Sequence, residues 1–319
     1  MAETATTPTG NGRAPEAPTD LSKSTWKGTL RRTFKEFKED DLTLLAAALT
    51  YYGILALFPA LLVLLSLVGL AGKDTIDTLL QNVGDLAPGA TRDVITNAVH
   101  NLQNSNKAAG VAFIAGLAAA LWSASGYVGA FSKAANVIYE VEEGRKFWKL
   151  KPIQILATLV VVLLTAIVVI AVVVTGPVAE KVGNIIGLGD TAVTVFGILK
   201  WPVIALIVSQ IFAFLYWISP NVKQPGYAWV SPGGILAVVL WIAASALFAF
   251  YVANFGSYSK TYGSMAAAII FLVWLWITNV VMLLGLEFNA EVERGRQIEA
   301  GHDPEVEPFL PHREEPKPS

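Results

Sequence analysis

Two charged side chains in long apolar stretches are the residues best placed to do chemistry. Lys200 lies in the run TAVTVFGILKWPVIALIVSQIF, and Glu287 closes the run that ends LLGLEFNAEVERGR. Because a charge inside a bilayer is costly, each residue indicates either a functional site or a position at the membrane surface. A helix that begins near Thr191 would make Lys200 a site, whereas a start near Leu199 would let its amine reach the surface beside Trp201. We expect the second arrangement.

Glu287 should lie near the inner end of its helix, and Lys200 near the outer mouth of the membrane region. The two would then be about 30 Å apart along the membrane normal, which is too far for an ion pair. We therefore expect Glu287 to pair with a lysine or arginine of the second cytoplasmic loop or of the N-terminal segment.

Uncharged polar residues inside the apolar stretches form a second group of candidates. Such residues more often bond neighbouring helices than bind a substrate, but their number here favours a polar interior seam. Gly126 and Ala130 have the spacing that lets two helices approach closely. The residues that we predict to line a substrate pathway are Thr50, Tyr51, Tyr52, Pro59, Ser123, Ser125, Asn136, Lys200, Tyr262, Asn279, Glu287 and Asn289.

The residue patterns of common catalytic sites are missing from the sequence. There is no cysteine, and His100, His302 and His312 are not spaced with carboxylates as metal ligands are. No Walker loop, nucleophile elbow or HExxH motif occurs. We expect neither an enzyme nor a protein that holds a metal or another cofactor.

The composition is that of a protein which crosses a membrane several times. Hydrophobic residues make up 54% of the 319 residues and charged residues 15%, with a mean hydropathy of +0.53. Soluble domains usually carry about 25% charged residues. The formal net charge of -2 gives no reason to expect a nucleic-acid partner. The first 40 residues lack the pattern of a cleaved secretory signal, so we expect the first span to direct insertion.

Apolar runs long enough to span a bilayer predict an all-α bundle of six transmembrane helices within a membrane domain at 41–294. The predicted spans are about 42–71, 108–131, 152–176, 193–218, 232–253 and 263–286. With six spans, 17 of the 23 lysines and arginines fall on the side of the two tails. By the positive-inside rule, both termini are cytoplasmic.

The segments outside the spans differ in character. Residues 1–22 and 295–319 have the composition of disordered tails. Residues 23–40 carry Trp26, Leu30, Phe34 and Phe37 at helical spacing among basic residues, which predicts an amphipathic helix of the kind that lies on an anionic lipid surface. The outer loop at 73–107 carries two apolar stripes, which predict two short amphipathic helices. They form either a structural hairpin, which we favour, or a lid over a cavity.

Six segments in consistent order resemble the YihY/BrkB family of bacterial inner-membrane proteins. They are AAALTYYGILALFP from Ala46, LWSASG from Leu121 with Asn136 downstream, LYWISPN from Leu215, WVSPGGILAVVLW from Trp229, NFGSYSKTYGSMAAAI from Asn254 and LLGLEFNAEVE from Leu283. The resemblance covers roughly residues 34–294. It implies six spans with cytoplasmic termini in a bacterial plasma membrane, in agreement with the charge count.

The resemblance also frames the expected function. Members of the family were once labelled ribonuclease BN, a label that the residues here do not support. The family is usually described as one of transporters or permeases, and some members are tied to virulence, serum resistance or lipid export. We therefore expect a transporter of a solute or an envelope lipid, with the lipid bilayer as its surroundings. The alternative is a scaffold that organises envelope partners without transporting.

Overall fold

The computed structural model describes residues 15–70, 107–185, 189–254, 264–303 and 306–316. Within these residues the chain is almost entirely helical, as predicted, and two short 3-10 helices lie at Pro18–Asp20 and Tyr227–Trp229. The α-helices are α1 (Lys23–Glu39), α2 (Leu42–Leu70), α3 (Lys107–Ile138), α4 (Phe147–Ile185), α5 (Gly189–Ile218), α6 (Ser231–Asn254) and α7 (Ser264–Glu299).

Several of these helices are long and apolar enough to cross a membrane. Four stretches of the described residues meet that standard: Phe147–Val168, Gly197–Ile218, Tyr227–Ala253 and Ala268–Glu299. A fifth is present if α1 and Leu42–Leu57, which meet at a bend of 65°, form one broken span. The chain is thus multi-pass by length and composition, and the count of six spans stays a prediction.

The chain divides into two compact units. The first comprises Met1–Tyr51, Gly129–Leu150 and Phe212–Ser319, and the second comprises Tyr52–Val128 and Lys151–Ile211. In the second unit, buried Val63, Ala120 and Val162 pack together. In the first unit, Tyr216 stacks between Phe131 and Phe212, with ring centroids 6.2 and 6.4 Å apart.

Helix α1 packs on α7 in the first unit. Ser22 caps its start by accepting a hydrogen bond from the Thr25 amide, which satisfies one of the free N–H groups of the first turn. Trp26 stacks on Phe288 with 5.9 Å between ring centroids, and Thr29 is fully buried. The contact face is therefore partly polar, because the Thr29 hydroxyl donates to a carbonyl of α7.

The contact with α7 buries only part of the apolar stripe of α1. Leu30 and Phe34, which the sequence places on one stripe with Trp26, remain 49% and 64% exposed. The stripe is divided between two surroundings: Trp26 faces α7, and Leu30 and Phe34 face outward.

Helices α6 and α7 approach each other at a pair of glycines. A Cβ on Gly285 would lie 2.7 Å from the Ala237 Cβ, and a Cβ on Gly233 would overlap the Gly285 carbonyl oxygen. By contrast, a Cβ on Gly126 would meet no atom of another described element within 4 Å. The close approach predicted at Gly126 is therefore wrong, and it occurs instead where α6 crosses α7.

The C-terminal residues differ from the predicted disordered tail. Helix α7 continues to Glu299, and residues 306–316 lie against the loop that follows α5. The Lys223 amide donates to the Pro311 carbonyl and the Arg313 amide to the Asn221 carbonyl, both at 2.9 Å. Leu310 is only 3% exposed, and burial of this side chain offsets the low apolar content of the segment. Two predictions fall on segments outside the described residues. They are the disorder predicted for residues 1–14 and the two short helices predicted in the outer loop up to residue 106.

Candidate functional site

A buried carboxylate on α7 is the centre of the candidate site. Glu287 is 1% exposed, and its Oε2 has no hydrogen-bond partner among the described residues. The charges that act on it most strongly are the carboxyls of Asp40, Glu291 and Glu36, with Arg294 contributing less. The predicted ion pair with a basic residue of the second loop or N-terminal segment is absent from the described residues. We call Glu287, Glu291 and Asp40 the acidic cluster.

Two arginines form ion pairs with Glu291, a member of the acidic cluster. Glu291, also 1% exposed, forms an ion pair with Arg32 of α1 and a second with Arg294 at 3.1 Å. The Thr29 hydroxyl donates to the Glu291 backbone carbonyl at 3.2 Å. Removal of either partner would leave a buried charge less well compensated, so these contacts tie α1 to α7 at this position.

Asp40 follows the end of α1, at the bend that leads into α2. Burial and the neighbouring Glu36 carboxylate raise the pKa of Asp40 to about 6, against an opposing effect of Arg294. Asp41, the next residue, has a φ of 50° in the left-handed region, which aspartate tolerates better than most residues. The bend therefore places a carboxyl that titrates at mildly acidic pH beside α7.

Arg294 also joins the loop after α3 to the C-terminal segment. It contacts Glu140 at 2.9 Å and Glu307 at 3.3 Å, and it lies 4.8 Å from the centre of the Phe309 ring. Burial, together with a hydrogen bond to the Glu307 carboxylate, raises the pKa of Glu140 to about 8. The same hydrogen bond, with Arg294, lowers the pKa of Glu307. The pKa values of the two carboxyls are thus shifted in opposite directions beside one guanidinium.

Asparagines organise a second polar cluster in the same unit. The Asn136 side chain accepts a hydrogen bond from the Asn221 amide at 2.8 Å and donates to Glu143 at 3.0 Å. Arg145, 6% exposed, bonds Glu143 at 2.7 Å and donates to the Ser219 carbonyl. Burial raises the pKa of Glu143, but the hydrogen bonds from Arg145 outweigh it, and the net pKa is lowered.

Arg313 completes the second cluster from the C-terminal segment. Its guanidinium donates to the carbonyls of Trp217, Ile218 and Val222. These groups include the last carbonyls of α5, which have no partner within the helix, and a cation is favoured at that end of the helix dipole. Burial lowers the pKa of Arg313, with nearby Arg145 acting in the same direction.

Asn289 holds the start of α6 against α7. Its side chain accepts a hydrogen bond from the Gly233 amide at 2.7 Å and donates to the Val230 carbonyl at 2.8 Å. Gly233 lies in the first turn of α6, where the backbone amides have no partner within the helix. Asn289 acts as a cap supplied by another helix, so both ends of its amide are occupied by backbone.

Thr50 and Asn279 meet as a buried polar pair. The Asn279 amide donates to the Thr50 hydroxyl at 3.1 Å, and that hydroxyl donates to the Ala46 carbonyl at 2.8 Å. Asn279 and Glu287 are eight residues apart on α7, which separates them by about 12 Å along its axis. The inward side of α7 thus carries polar groups at both positions.

Comparison with known proteins places the chain in a family. Residues 33–309 match the family model described as virulence factor BrkB. The chain belongs to the BrkB family. The matched range includes Asp40, Glu287 and Glu291 of the acidic cluster, and it excludes Arg32 and Arg313.

Relatives of the BrkB family are similar over most of this chain. YfkH of Bacillus subtilis, named as ribonuclease-like, is 29% identical over 84% of this chain and 96% of its own length. A UPF0761 membrane protein of Alkalilimnicola ehrlichii is 32% identical over 84% of this chain and 60% of its own length. A UPF0761 membrane protein of Photobacterium profundum is 27% identical over 82% of this chain and 80% of its own. No solved structure shows significant similarity to the chain.

Four of the remaining predicted pathway residues lie on the described helices α2 and α3. Tyr51 and Tyr52 are 62% and 40% exposed, Ser123 is exposed, and Pro59 is half-buried inside α2. Tyr262 lies outside the described residues.

Two basic residues of the second unit contact aromatic rings of their own unit. The Lys151 amine donates to the buried Ser125 hydroxyl at 2.6 Å and lies 4.8 Å from the centre of the Trp122 ring. Helix α5 begins at Gly189, earlier than the start that we expected, yet Lys200 lies 5.5 Å from the centre of the exposed Trp201 ring. The expected helix start near Leu199 is therefore wrong, and the snorkelling arrangement of the amine stays a prediction.

The sequence reasoning did not identify the arginines that organise the site. Arg32, Arg145, Arg294 and Arg313 each contact carboxylates or backbone carbonyls of a distant element. Their signal in the sequence is weak, because basic residues beside membrane spans are ordinary. Asn221 belongs to the LYWISPN segment, which resembles the BrkB family but does not indicate a role for this residue. Among the described residues, no three histidine, aspartate or glutamate side chains are placed to hold a metal ion.

Proposed function

We propose that this BrkB-family protein is a transporter of a solute or an envelope lipid, with the acidic cluster as part of its working site. Glu287 carries the proposal, because it is a buried carboxylate at the end of a membrane helix with one oxygen unpartnered in the described residues. Such a group is costly to keep, and in membrane helices it marks ion or substrate pathways by default. The proposed site requires no cofactor.

Further polar groups on α7 support the same site. Asn279 and Thr50 form their buried pair about two turns before Glu287, and Glu291 follows it by one turn. All of these groups face other helices, whereas a plain membrane anchor needs apolar residues there. The arrangement favours a polar route along the inward side of α7.

The test is transport by the purified protein reconstituted into liposomes. Fluxes of a broad solute panel and the exchange of labelled phospholipids between leaflets are measured for the parent, Glu287→Gln and Glu293→Gln. Glu293 is the matched control, since it is a buried carboxylate of the same helix that is bonded by Arg296 and Gln297. We expect the parent to transport at least one substrate and Glu287→Gln to lose at least an order of magnitude in rate.

The control variant and a check that each protein is folded decide how a loss of transport is interpreted. Glu293→Gln should keep most of the parental rate, and all three proteins should elute as folded species. Equal losses in both variants would assign Glu287 a merely structural role. No transport by the folded parent across the panel would reject the proposal and favour the scaffold, which would then retain a stable partner from the envelope.

A further inference from the structure

The outward side of α1 combines apolar and basic side chains. Leu30 and Phe34 are the exposed apolar residues, and the exposed basic residues next to them are Lys27, Arg31 and Lys38. We call these five residues the outer face. Successive residues of a helix are about 100° apart, which places Leu30 and Phe34 on one arc and the three basic residues along its border.

The opposite side of α1 is fixed to α7 and cannot turn. Thr29 is buried and donates to the Glu291 carbonyl, Arg32 pairs with Glu291, and Thr25 bonds Glu299. Because three contacts hold α1 in this rotation, the outer face is a constant feature of the fold. Its apolar side chains are exposed by the packing and not by loose docking.

The bend that follows α1 favours a position of this helix at the membrane surface. The axis of α1 makes an angle of 65° with Leu42–Leu57, the apolar first part of α2. A helix that leaves a span at such an angle runs close to the membrane plane. At that depth, apolar side chains reach the acyl chains while lysines and arginines contact headgroups.

The charge of the outer face selects the kind of lipid. Lys27, Arg31 and Lys38 have exposed side chains, and the acidic residues of α1, Glu36 and Glu39, are engaged by Lys35 on another side of the helix. A basic border along one side of an apolar strip is complementary to phosphate-bearing lipids with a net negative charge.

A second pair of anchors begins α4 in the same unit. Phe147 and Trp148 are 60% and 76% exposed, with exposed Lys146 and Lys149 beside them. Aromatic residues next to lysines are typical of the headgroup layer. The first unit thus presents the same chemistry, apolar side chains with adjacent cations, on two separate helices.

We propose that the outer face of α1 binds anionic phospholipid, with Leu30 and Phe34 inserted beside the acyl chains and Lys27, Arg31 and Lys38 on the headgroups. This binding does not depend on transport. It places the bound lipid on the helix that also carries Arg32, the ion-pair partner of Glu291.

The absence of cysteine makes the proposal directly testable. Single variants Phe34→Cys and Leu30→Cys are labelled with a polarity-sensitive fluorophore in the full chain, and Lys35→Cys is the exposed control on another side of α1. Each is placed in nanodiscs of phosphatidylcholine alone or mixed with phosphatidylglycerol. We expect labels at positions 34 and 30 to brighten several-fold with phosphatidylglycerol and to be quenched by nitroxides on the acyl chains, while the label at position 35 stays aqueous.

A charge variant separates anionic binding from simple insertion. In Lys27→Gln/Arg31→Gln/Lys38→Gln, the label at position 34 should no longer distinguish the two nanodiscs. Aqueous labels at both 34 and 30 in phosphatidylglycerol would overturn the proposal, as would equal burial in the two nanodiscs for the protein with its native charges. Two label positions are used so that a folding defect of one variant leaves the other as a test.

Discussion

The crossing of α6 and α7 offers the sharpest test of the packing, through the substitution Gly233→Ala. The added methyl would lie 2.5 Å from the Asn289 Oδ1 and would overlap the Gly285 carbonyl oxygen. A backbone carbonyl cannot move away as the end of a flexible side chain can. The two helices would therefore have to separate before the methyl group fits.

The expected cost combines two effects at this crossing. Overpacking a core costs about 1–3 kcal/mol. Separation of the helices also stretches the two Asn289 hydrogen bonds, and an unsatisfied buried polar group costs about 1–3 kcal/mol. Together they predict that Gly233→Ala lowers the free energy of unfolding by roughly 3 kcal/mol or more. On the scale of soluble domains this lowers the Tm by on the order of 10 °C.

Thermal unfolding in detergent, followed by the fluorescence of the nine tryptophans, measures this effect. Gly126→Ala is the matched control, because it makes the same change inside another helix. There the added methyl group meets no other described element within 4 Å. Alanine is a better helix former than glycine by about 1 kcal/mol, so the control should melt at or slightly above the parental Tm. Equal melting of Gly233→Ala and the parent would refute the close approach of α6 and α7.

Three further predictions concern the polar clusters. Thermal unfolding checks the first and the third, and limited proteolysis checks the second. The raised pKa of Asp40, about 6, means that the native state holds a proton which the unfolded chain has released, so stability falls as pH rises from about 4 to 6; Asp40→Asn should remove this fall and raise the Tm at neutral pH. Arg313→Gln should lose the cap on α5 and expose the C-terminal segment to protease, whereas exposed Glu315→Gln should not. Thr50→Val and Asn279→Leu should each cost about 1–3 kcal/mol and the double variant less than their sum, and additive costs would contradict a direct bond.

The fold class was predictable because apolar length is a local property of the chain. The bounds of α6 at Ser231–Asn254 differ by one residue at each end from the predicted span, since Pro232 and the apolar run mark them clearly. The end of α7 was less predictable, because its last turns are polar and are stabilised by Arg32 and Thr25 of α1, which bond Glu291 and Glu299. Such partners are distant in sequence and leave no periodic signal.

The candidate site divides along the same line. The sequence alone determined that this is an all-helical membrane protein of the BrkB type, and that Glu287 and Asn279 are unusual residues at their positions, because the cost of polar groups in a bilayer depends on residue type and local hydropathy. Only the tertiary structure decided that Glu287 faces other carboxyls, that Asn289 caps α6, and that Leu30 and Phe34 face outward. These outcomes depend on which elements meet and at what rotation, and long-range packing sets both.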